Sequence, residues 1–278
     1  MTGTGSRKVG LPRALVVLLG VLVAAGVAGC GQPPPSNDEA GGGREGETTA
    51  ESGETTGEIT EETTTEETTA VEVGGSPELA EAAEGYEEYV VEQAALLEKR
   101  TRGFTDAVIS GEVAKAKALY APARVPWERI EPVAAKFGDY DPRIDAREGD
   151  VPRDEWQGFH RIEKALWVEG TTEGQERYAR LLQEDVSNLR EEVEEVELEP
   201  VDLVTGSVEL LNEVSAGKIT GEEDRYSHTD LYDIHANVEG SEAAFEELKP
   251  EVAGEDLTLA NDVEEGFDRV YEELEQYR

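Results

Sequence analysis

Residues 154–167, "DEWQGFHRIEKALW", decide how this chain folds. At about 100° per residue, a helix collects the apolar side chains of this stretch on one broad face. That face comprises Trp156, Phe159, Ile162, Leu166 and Trp167. His160 and Glu163 fall within the same face. Because an ionised carboxylate is costly to bury alone, Glu163 is expected to need a cation, a proton or several hydrogen-bond donors.

The rest of the C-terminal two hundred residues carries the same helical spacing. Apolar residues recur at three- and four-residue steps through segments 77–111, 112–138, 172–196, 201–219, 230–250 and 257–278. Pro126 is compatible with a first helical turn, Pro132 predicts a kink or break, and residues 139–150 are predicted to be a loop. No strand alternation appears, so we predict an all-α bundle, as one domain or two packed lobes.

The N-terminal residues 1–29 have the pattern of an export signal. Three basic residues precede the apolar run "ALVVLLGVLVAAGVAG", and "VAGC", ending at Cys30, resembles a bacterial lipobox. The resemblance implies cleavage before Cys30 and a lipid on its sulfur, which places the protein on the extracytoplasmic face of the bacterial cell membrane. The alternative is an uncleaved anchor, for which the run is short. Cys30 is the only cysteine, which excludes an intramolecular disulfide and a thiolate zinc site.

Residues 30–76 are predicted to form a disordered acidic tether between this anchor and the folded domain at 77–278. The segment is rich in Gly, Thr, Glu and Pro and almost free of large apolar residues, so it cannot bury a core. Like charges along it favour an extended chain.

The whole chain is strongly acidic. Its 278 residues include 64 Asp and Glu against 25 Lys and Arg, a formal charge of −39. Such a surface repels phosphate backbones, so no nucleic-acid partner is expected. It is compatible with cation capture, and charge alone does not distinguish that from simple solubility.

Further acids stand where they can join His160. Glu128 and Glu131 are three residues apart, Asp145 lies in the predicted loop, and "GEED" carries Glu223. Bundles hold iron with carboxylates from several helices that converge on a His-x-x-Glu or Glu-x-x-His pair. Oxygen-rich ligation with one imidazole suits Fe, Mn, Ca or Mg. The alternative for His160 and Glu163 is a buried pair that only fixes helix register, and for each acid singly a solvated face.

Three sequence blocks together resemble one known family. "WQGFHRIEKALW" resembles the GxHxxE signature of the imelysin family. The segments "ARVPWERIEPVAAKFGDYDPRIDARE" and "GEEDRYSHTDLYDIHANVEG" are similar to two further blocks of its EfeO/EfeM branch. The resemblance covers about residues 78–278 and is to the short form, without a cupredoxin domain.

The resemblance implies a two-lobed helical protein with a metal-binding cleft, which passes iron to a membrane permease with a haem-dependent peroxidase as companion. It implies that the cargo is Fe²⁺ or Fe³⁺, with other divalent cations possible. The implied ligands are His160, Glu163, Glu128, Glu131, Asp145 and Glu223. Arg124 and Arg147 are expected to orient these carboxylates.

Two other functions stay open at this point. A metallopeptidase is one, but His160 has no histidine four residues later, so His228 or His235 would have to approach it in space. A purely structural or adhesive surface protein is the other, and it predicts that Glu128, Glu131 and Glu223 lie scattered on the outside. We expect a binding protein rather than an enzyme.

Overall fold

A computed structural model of the protein describes residues 76–277, and this part of the chain is helical without a strand. The predictions for the export signal, Cys30 and the tether lie outside the described residues. Within this described part, eight α-helices follow in order: α1 Pro77–Ile109, α2 Val113–Ile130, α3 Tyr140–Ile144, α4 Gly158–Lys164, α5 Glu176–Glu192, α6 Pro200–Ala216, α7 Asp230–Glu255 and α8 Leu257–Leu274. Short 3-10 turns cover Glu131–Phe137, Val193–Glu195, Lys218–Thr220 and Glu275–Tyr277. The predicted all-α class is confirmed.

The long helix α1 begins at a well-formed cap. The Ser76 hydroxyl accepts a hydrogen bond from the Leu79 amide at 3.2 Å, and Pro77 occupies the first helical position, where no amide hydrogen is needed. One face of α1 is buried against α2 and α5. Its largest buried side chains are Tyr86, Leu97 and Phe104. This helix is therefore the spine on which the other elements pack.

Two prolines behave differently from expectation. Pro122 and Pro126 lie inside α2, so the first-turn prediction for Pro126 is wrong. Pro126 has no amide hydrogen for the Pro122 carbonyl, but Arg100 Nη1 donates to that carbonyl at 2.9 Å. A side chain of α1 thus satisfies the acceptor that the proline leaves open. Pro132 ends the α-helix as predicted, since a 3-10 turn starts at Glu131.

The segment before the site also corrects the prediction. Residues 140–144 form the short helix α3 rather than a loop, and α4 begins at Gly158 rather than near residue 154. Trp156 is therefore not on the helix. It is still buried, in the preceding turn, with its indole Nε1 donating to the Ala146 carbonyl at 2.8 Å. A π-helical segment, Ala165–Glu169, follows α4.

Helices α6, α7 and α8 complete the bundle, with α7 packed against α2, α6 and α8. Gly240 lets α7 approach α2 closely, because a Cβ there would lie 2.0 Å from the Arg129 carbonyl oxygen. Among residues 76–277, no helix combines the length and apolarity needed to cross a membrane. The division into two lobes with a cleft between them stays a prediction.

Candidate metal centre

Gly158 sets the start of α4 and hence the direction of the site. Its φ is +82°, and a Cβ at this position would lie 2.3 Å from the Ile144 carbonyl oxygen. Only glycine fits both the left-handed backbone and this contact with the end of α3. From this start, His160 and Glu163 point into the bundle, where both are buried.

His160 lies among four carboxylates. On one side of the ring, Nε2 is 3.4 Å from Asp145 Oδ1 and 3.4 Å from Glu223 Oε1. On the other side, Nδ1 is 3.2 Å from Glu163 Oε2 and 3.8 Å from Asp224 Oδ1. The purely structural hypothesis predicted that Glu223 lies on the outside, and its burial contradicts that prediction.

Glu163 is anchored on its far side by backbone donors. Its Oε1 accepts hydrogen bonds from the amides of Tyr226 at 3.0 Å and Ser227 at 2.7 Å. Its Oε2 faces His160 Nδ1. A carboxylate on one ring nitrogen fixes the tautomer and orientation of a histidine, and so leaves the other nitrogen directed at Asp145 and Glu223.

The phenol of Tyr120 closes the Nδ1 side. Its Oη donates to Asp224 Oδ1 at 2.8 Å and lies 3.2 Å from His160 Nδ1. The ring packs edge-on to Phe159 at 6.3 Å between centroids. This side of the imidazole is therefore sealed by aromatic packing.

Glu128 and Glu131 lie beside the histidine cluster and are held by cations and an amide. Lys218, itself buried, places Nζ 3.2 Å from Glu128 Oε2 and 2.7 Å from Glu131 Oε2. Asn237 Nδ2 donates to the same two carboxylates at 3.1 and 2.7 Å. Neither glutamate belongs to the groups of residues whose ligand atoms converge around His160, so the structure places both next to the centre rather than in it.

Arg124 lies at the middle of the network and is fully buried. Its guanidinium donates to Asp145 and Glu128, and to Asp233 Oδ2 at 3.2 and 3.3 Å. Nη1 is also 3.1 Å from His160 Nε2, because both nitrogens converge on Asp145 Oδ1. The sequence-based expectation that Arg124 contacts the site carboxylates agrees with this geometry.

Arg147 lies on the solvent side of the cluster. It donates to Glu223 Oε2 at 3.2 Å and to Asp150 Oδ2 at 3.0 Å. A cavity of about 340 Å³ opens here. Its lining includes Arg147 and six acidic residues, namely Glu131, Asp141, Asp145, Asp150, Glu213 and Glu223. The cavity thus leads an entering cation to the Asp145 and Glu223 side of His160.

The carboxyl groups of this network have pKa values that are shifted in opposite directions. Burial acts to raise the pKa of Asp145, but Arg124 and His160 outweigh it and hold that pKa well below its usual range. Burial is likewise outweighed at Glu223, where His160 and Lys218 lower the pKa to about 2. Burial raises the pKa of Asp233 well above its usual range despite Arg124. The two carboxylates on the cavity side are therefore ionised at neutral pH.

His160 is itself shifted. Burial and Arg124 act to lower its pKa, but hydrogen bonds with Asp145, Glu163 and Glu223 outweigh them and raise the pKa well above its usual range. At the mouth of the cavity, burial and the nearby Asp145 raise the pKa of Asp141 to about 6.

Two overlapping groups have ligand atoms close enough to hold one cation. Asp145, His160 and Glu223 form the group on the cavity side, and His160, Glu163 and Asp224 form the inner group. One imidazole nitrogen with carboxylate oxygens suits Fe, Mn and other oxygen-preferring cations. No second histidine of the described chain takes part in either group. His228 is exposed at φ +56°, and His235 pairs with Glu239 at 3.3 Å.

The ligands and orienting residues predicted from the sequence do not include several members of this network, namely Tyr120, Lys218, Asp224, Asp233 and Asn237. The sequence position of two of these residues could have indicated that they contact the site. Tyr120 precedes Arg124 by one helical turn, and Asp224 directly follows Glu223. Lys218 had no such signal, since a lysine is almost never fully buried unless it is paired, and its partners come from a distant segment.

The described fold and site define an all-helical protein with a buried histidine–carboxylate cluster beside an acidic cavity. The sequence profile of imelysin, which bears a peptidase designation, matches residues 82–278, and the chain belongs to that family. It is similar to the protein named iron uptake system component EfeO of Escherichia coli strain K12 and to that of Shigella flexneri, with 44% identity over 204 residues in each case. The alignment covers 72% of this chain and 54% of each relative, so the chain spans about half the length of the curated relatives it matches.

Proposed function

We propose that this protein is a membrane-tethered, extracytoplasmic iron-binding component of an Efe-type iron uptake system. The observation that carries the proposal is the convergence of four carboxylates on the buried His160 beside an acidic cavity. Relatives that are 44% identical are named as components of an iron uptake system. Site and relatives thus support the same cargo.

The chemistry of the centre fits capture and release of a cation. Asp145 and Glu223 are ionised and face the cavity, so an iron ion entering there meets hard oxygen ligands and one imidazole nitrogen. Glu163 holds His160 in place from behind. Other divalent cations fit the same donors. The titration therefore has to compare iron with these cations and Fe(II) with Fe(III).

The N-terminal pattern supplies the location in this proposal. The lipobox at Cys30 supports a lipid anchor, and the acidic segment 30–76 supports a tether that lifts the domain from the membrane. An iron permease receives the ion, and a haem-dependent peroxidase accompanies it. Both partners rest on the EfeO-type resemblance, while the names of the relatives support only membership of an iron uptake system.

A binding role without turnover agrees best with the site. A zinc hydrolase fixes its metal with three protein ligands, often two of them histidines, and keeps a separate glutamate as base. In the described part of this chain, the side chains that could bind a metal together with His160 are all carboxylates, and Glu163 accepts hydrogen bonds from backbone amides. We therefore propose that the protein has no peptidase activity despite the designation of the family profile.

Calorimetric titration tests the proposal. The full-length chain is titrated with Fe(II) under anaerobic conditions, Fe(III)-citrate, Mn(II) and Zn(II), next to His160→Ala. The matched control is His228→Asn, because His228 is exposed and asparagine tolerates its left-handed backbone. We expect saturable iron binding that is lost in His160→Ala and kept in His228→Asn. Equal, weak binding of every cation by all three proteins contradicts the proposal and indicates diffuse surface acidity.

A further inference from the structure

Arg124 occupies the position that an entering cation needs. The cavity-side group consists of Asp145, His160 and Glu223, with Asp145 Oδ1 and Glu223 Oε1 each 3.4 Å from His160 Nε2. Arg124 Nη1 already donates to Asp145 Oδ1 and lies 3.1 Å from His160 Nε2. In the structure the carboxylates are therefore compensated by a side chain of the protein itself.

A metal ion and this guanidinium cannot share the same donors. Both are cations, both would contact Asp145 beside His160 Nε2, and two positive charges would then lie within a few ångströms of each other in a largely buried site. Binding of the ion by this group thus requires the guanidinium to withdraw. The withdrawn guanidinium then needs another buried acceptor.

Asp233 is such an acceptor. Arg124 Nε and Nη2 lie 3.3 and 3.2 Å from the same oxygen of Asp233, Oδ2. The other oxygen, Oδ1, is buried and has no hydrogen-bond partner. A guanidinium fork matches both oxygens of an ionised carboxylate at once, and a second contact from Arg124 at Oδ1 would stabilise the charge that burial now disfavours on Asp233.

The other acceptors around Arg124 give it no comparable place. Glu128 Oε2 is already taken by Lys218 and Asn237. Asp224 is 3.7 Å from Nε, and its Oδ1 accepts from Tyr120. Asp233 alone among these carboxylates pairs a present contact with an unused buried oxygen.

Resting on the proposed function, we propose that Arg124 is an exchangeable counter-cation of the iron site. Without metal it spans Asp145 and His160, and with metal it withdraws to form a bidentate pair with Asp233. Its return compensates Asp145 as the ion leaves. This exchange lowers the cost of releasing the ion to an acceptor, because the emptied carboxylate regains a positive partner at once.

Two crystal structures of the full-length chain test the exchange directly, one grown without metal and one loaded with Mn(II) or Fe(III)-citrate. In the loaded form we expect both Asp233 oxygens within about 3.2 Å of the guanidinium, with Nη1 no longer in hydrogen-bond range of His160 Nε2. An ion bound to Asp145, His160 and Glu223 with the guanidinium unmoved overturns the exchange and leaves the proposed function intact. Absence of any ion at His160, together with absence of saturable binding in titration, overturns both.

A kinetic measurement on Arg124→Lys adds an independent test. Lysine keeps the positive charge but lacks the planar fork, so it cannot span Asp145 and His160 while facing Asp233. We expect chelator-driven release of bound iron to slow at least tenfold, because the internal competitor is gone. An unchanged release rate indicates that only the charge matters, and a faster one indicates that Arg124 merely orients ligands. Either result overturns the exchange.

Discussion

Glu163 is the residue whose role the structure defines most sharply. Replacing it by glutamine in Glu163→Gln removes the charge that orients His160, while the shape of the side chain is kept. Loss of such a supporting carboxylate typically costs about 10–100-fold in metal affinity. We expect that loss in iron titrations of the variant, with binding reduced rather than abolished.

The matched control for this change is Glu169→Gln. Glu169 follows α4 in the chain but is exposed, so the same loss of charge occurs away from His160. We expect its iron affinity to equal that of the parent chain. An equal loss of affinity in both variants would mean that total charge, and not orientation of the imidazole, controls binding.

The raised pKa of His160 predicts that iron uptake displaces a proton. The metal-free imidazole is protonated at neutral pH, and a metal ion binds only the deprotonated nitrogen. Affinity should therefore rise as pH increases toward the pKa of His160, and about one proton should be released per ion. Calorimetry at one pH in two buffers of different ionisation enthalpy measures this number directly. Identical heats in both buffers would contradict it.

The sequence predicted the inward direction of His160 and Glu163 but not the charge compensation around them. Helical phase was enough to direct His160 and Glu163 inward, because both fall on an apolar face of one short helix. The pairing of Lys218 with Glu131, 87 residues away in sequence, depends on which helices pack together. Local periodicity contains no information about such pairs, so Lys218 could be seen only in the structure, whereas the family resemblance had already indicated Arg124 and Arg147.

Between elements, Gly158 controls how α4 meets the end of α3. In Gly158→Ala, the new Cβ has to avoid the Ile144 carbonyl on a backbone with φ of +82°. Gly174→Ala is the control, since its φ is +77° and nothing lies within 4 Å of an added Cβ. Backbone strain alone costs about 1–3 kcal/mol at either position. We expect urea denaturation to show a larger loss of stability for Gly158→Ala, accompanied by weaker iron binding.

The outcome for both alanine variants decides between two roles for Gly158. Equal losses of stability, with iron binding unaffected, would mean that only the left-handed backbone matters there. A larger loss at residue 158 means that the contact between α3 and α4 is needed to present His160.

The elements themselves follow from the sequence where periodicity is long, and not where it is interrupted. Helix α1 has 33 residues, and the sequence predicted its end near Gly111, two residues after its last residue Ile109. Helix α2 continues through Pro126 because Arg100, from another helix, satisfies the released carbonyl. A prediction from local residues alone ends the helix at such a proline. Five residues, as in α3, are likewise too few for a periodic signal.

The net charge of −39 means that any added cation can stabilise the whole molecule by screening its surface, without binding at His160. An excess of like charge destabilises the compact state, and salt relieves it because the Debye length falls from about 30 Å at 0.01 M to about 8 Å at 0.15 M. The metal-free chain should therefore gain several degrees of melting temperature over this range. Any cation that only screens the surface should lose its effect once sodium chloride has done the same.

Binding at one specific site stabilises the native state by an amount set by the ligand concentration and its Kd, and not by ionic strength alone. A ligand at about 100 times its Kd stabilises the native state by about 2.7 kcal/mol, which is about 5–10 °C for a domain of this size. Added to the chain in 0.5 M sodium chloride, iron should still raise the melting temperature by this amount, whereas magnesium should not. In His160→Ala the iron increment should disappear while the response to salt is retained. If the increment persists without His160, the acidic surface and not the buried cluster binds the metal.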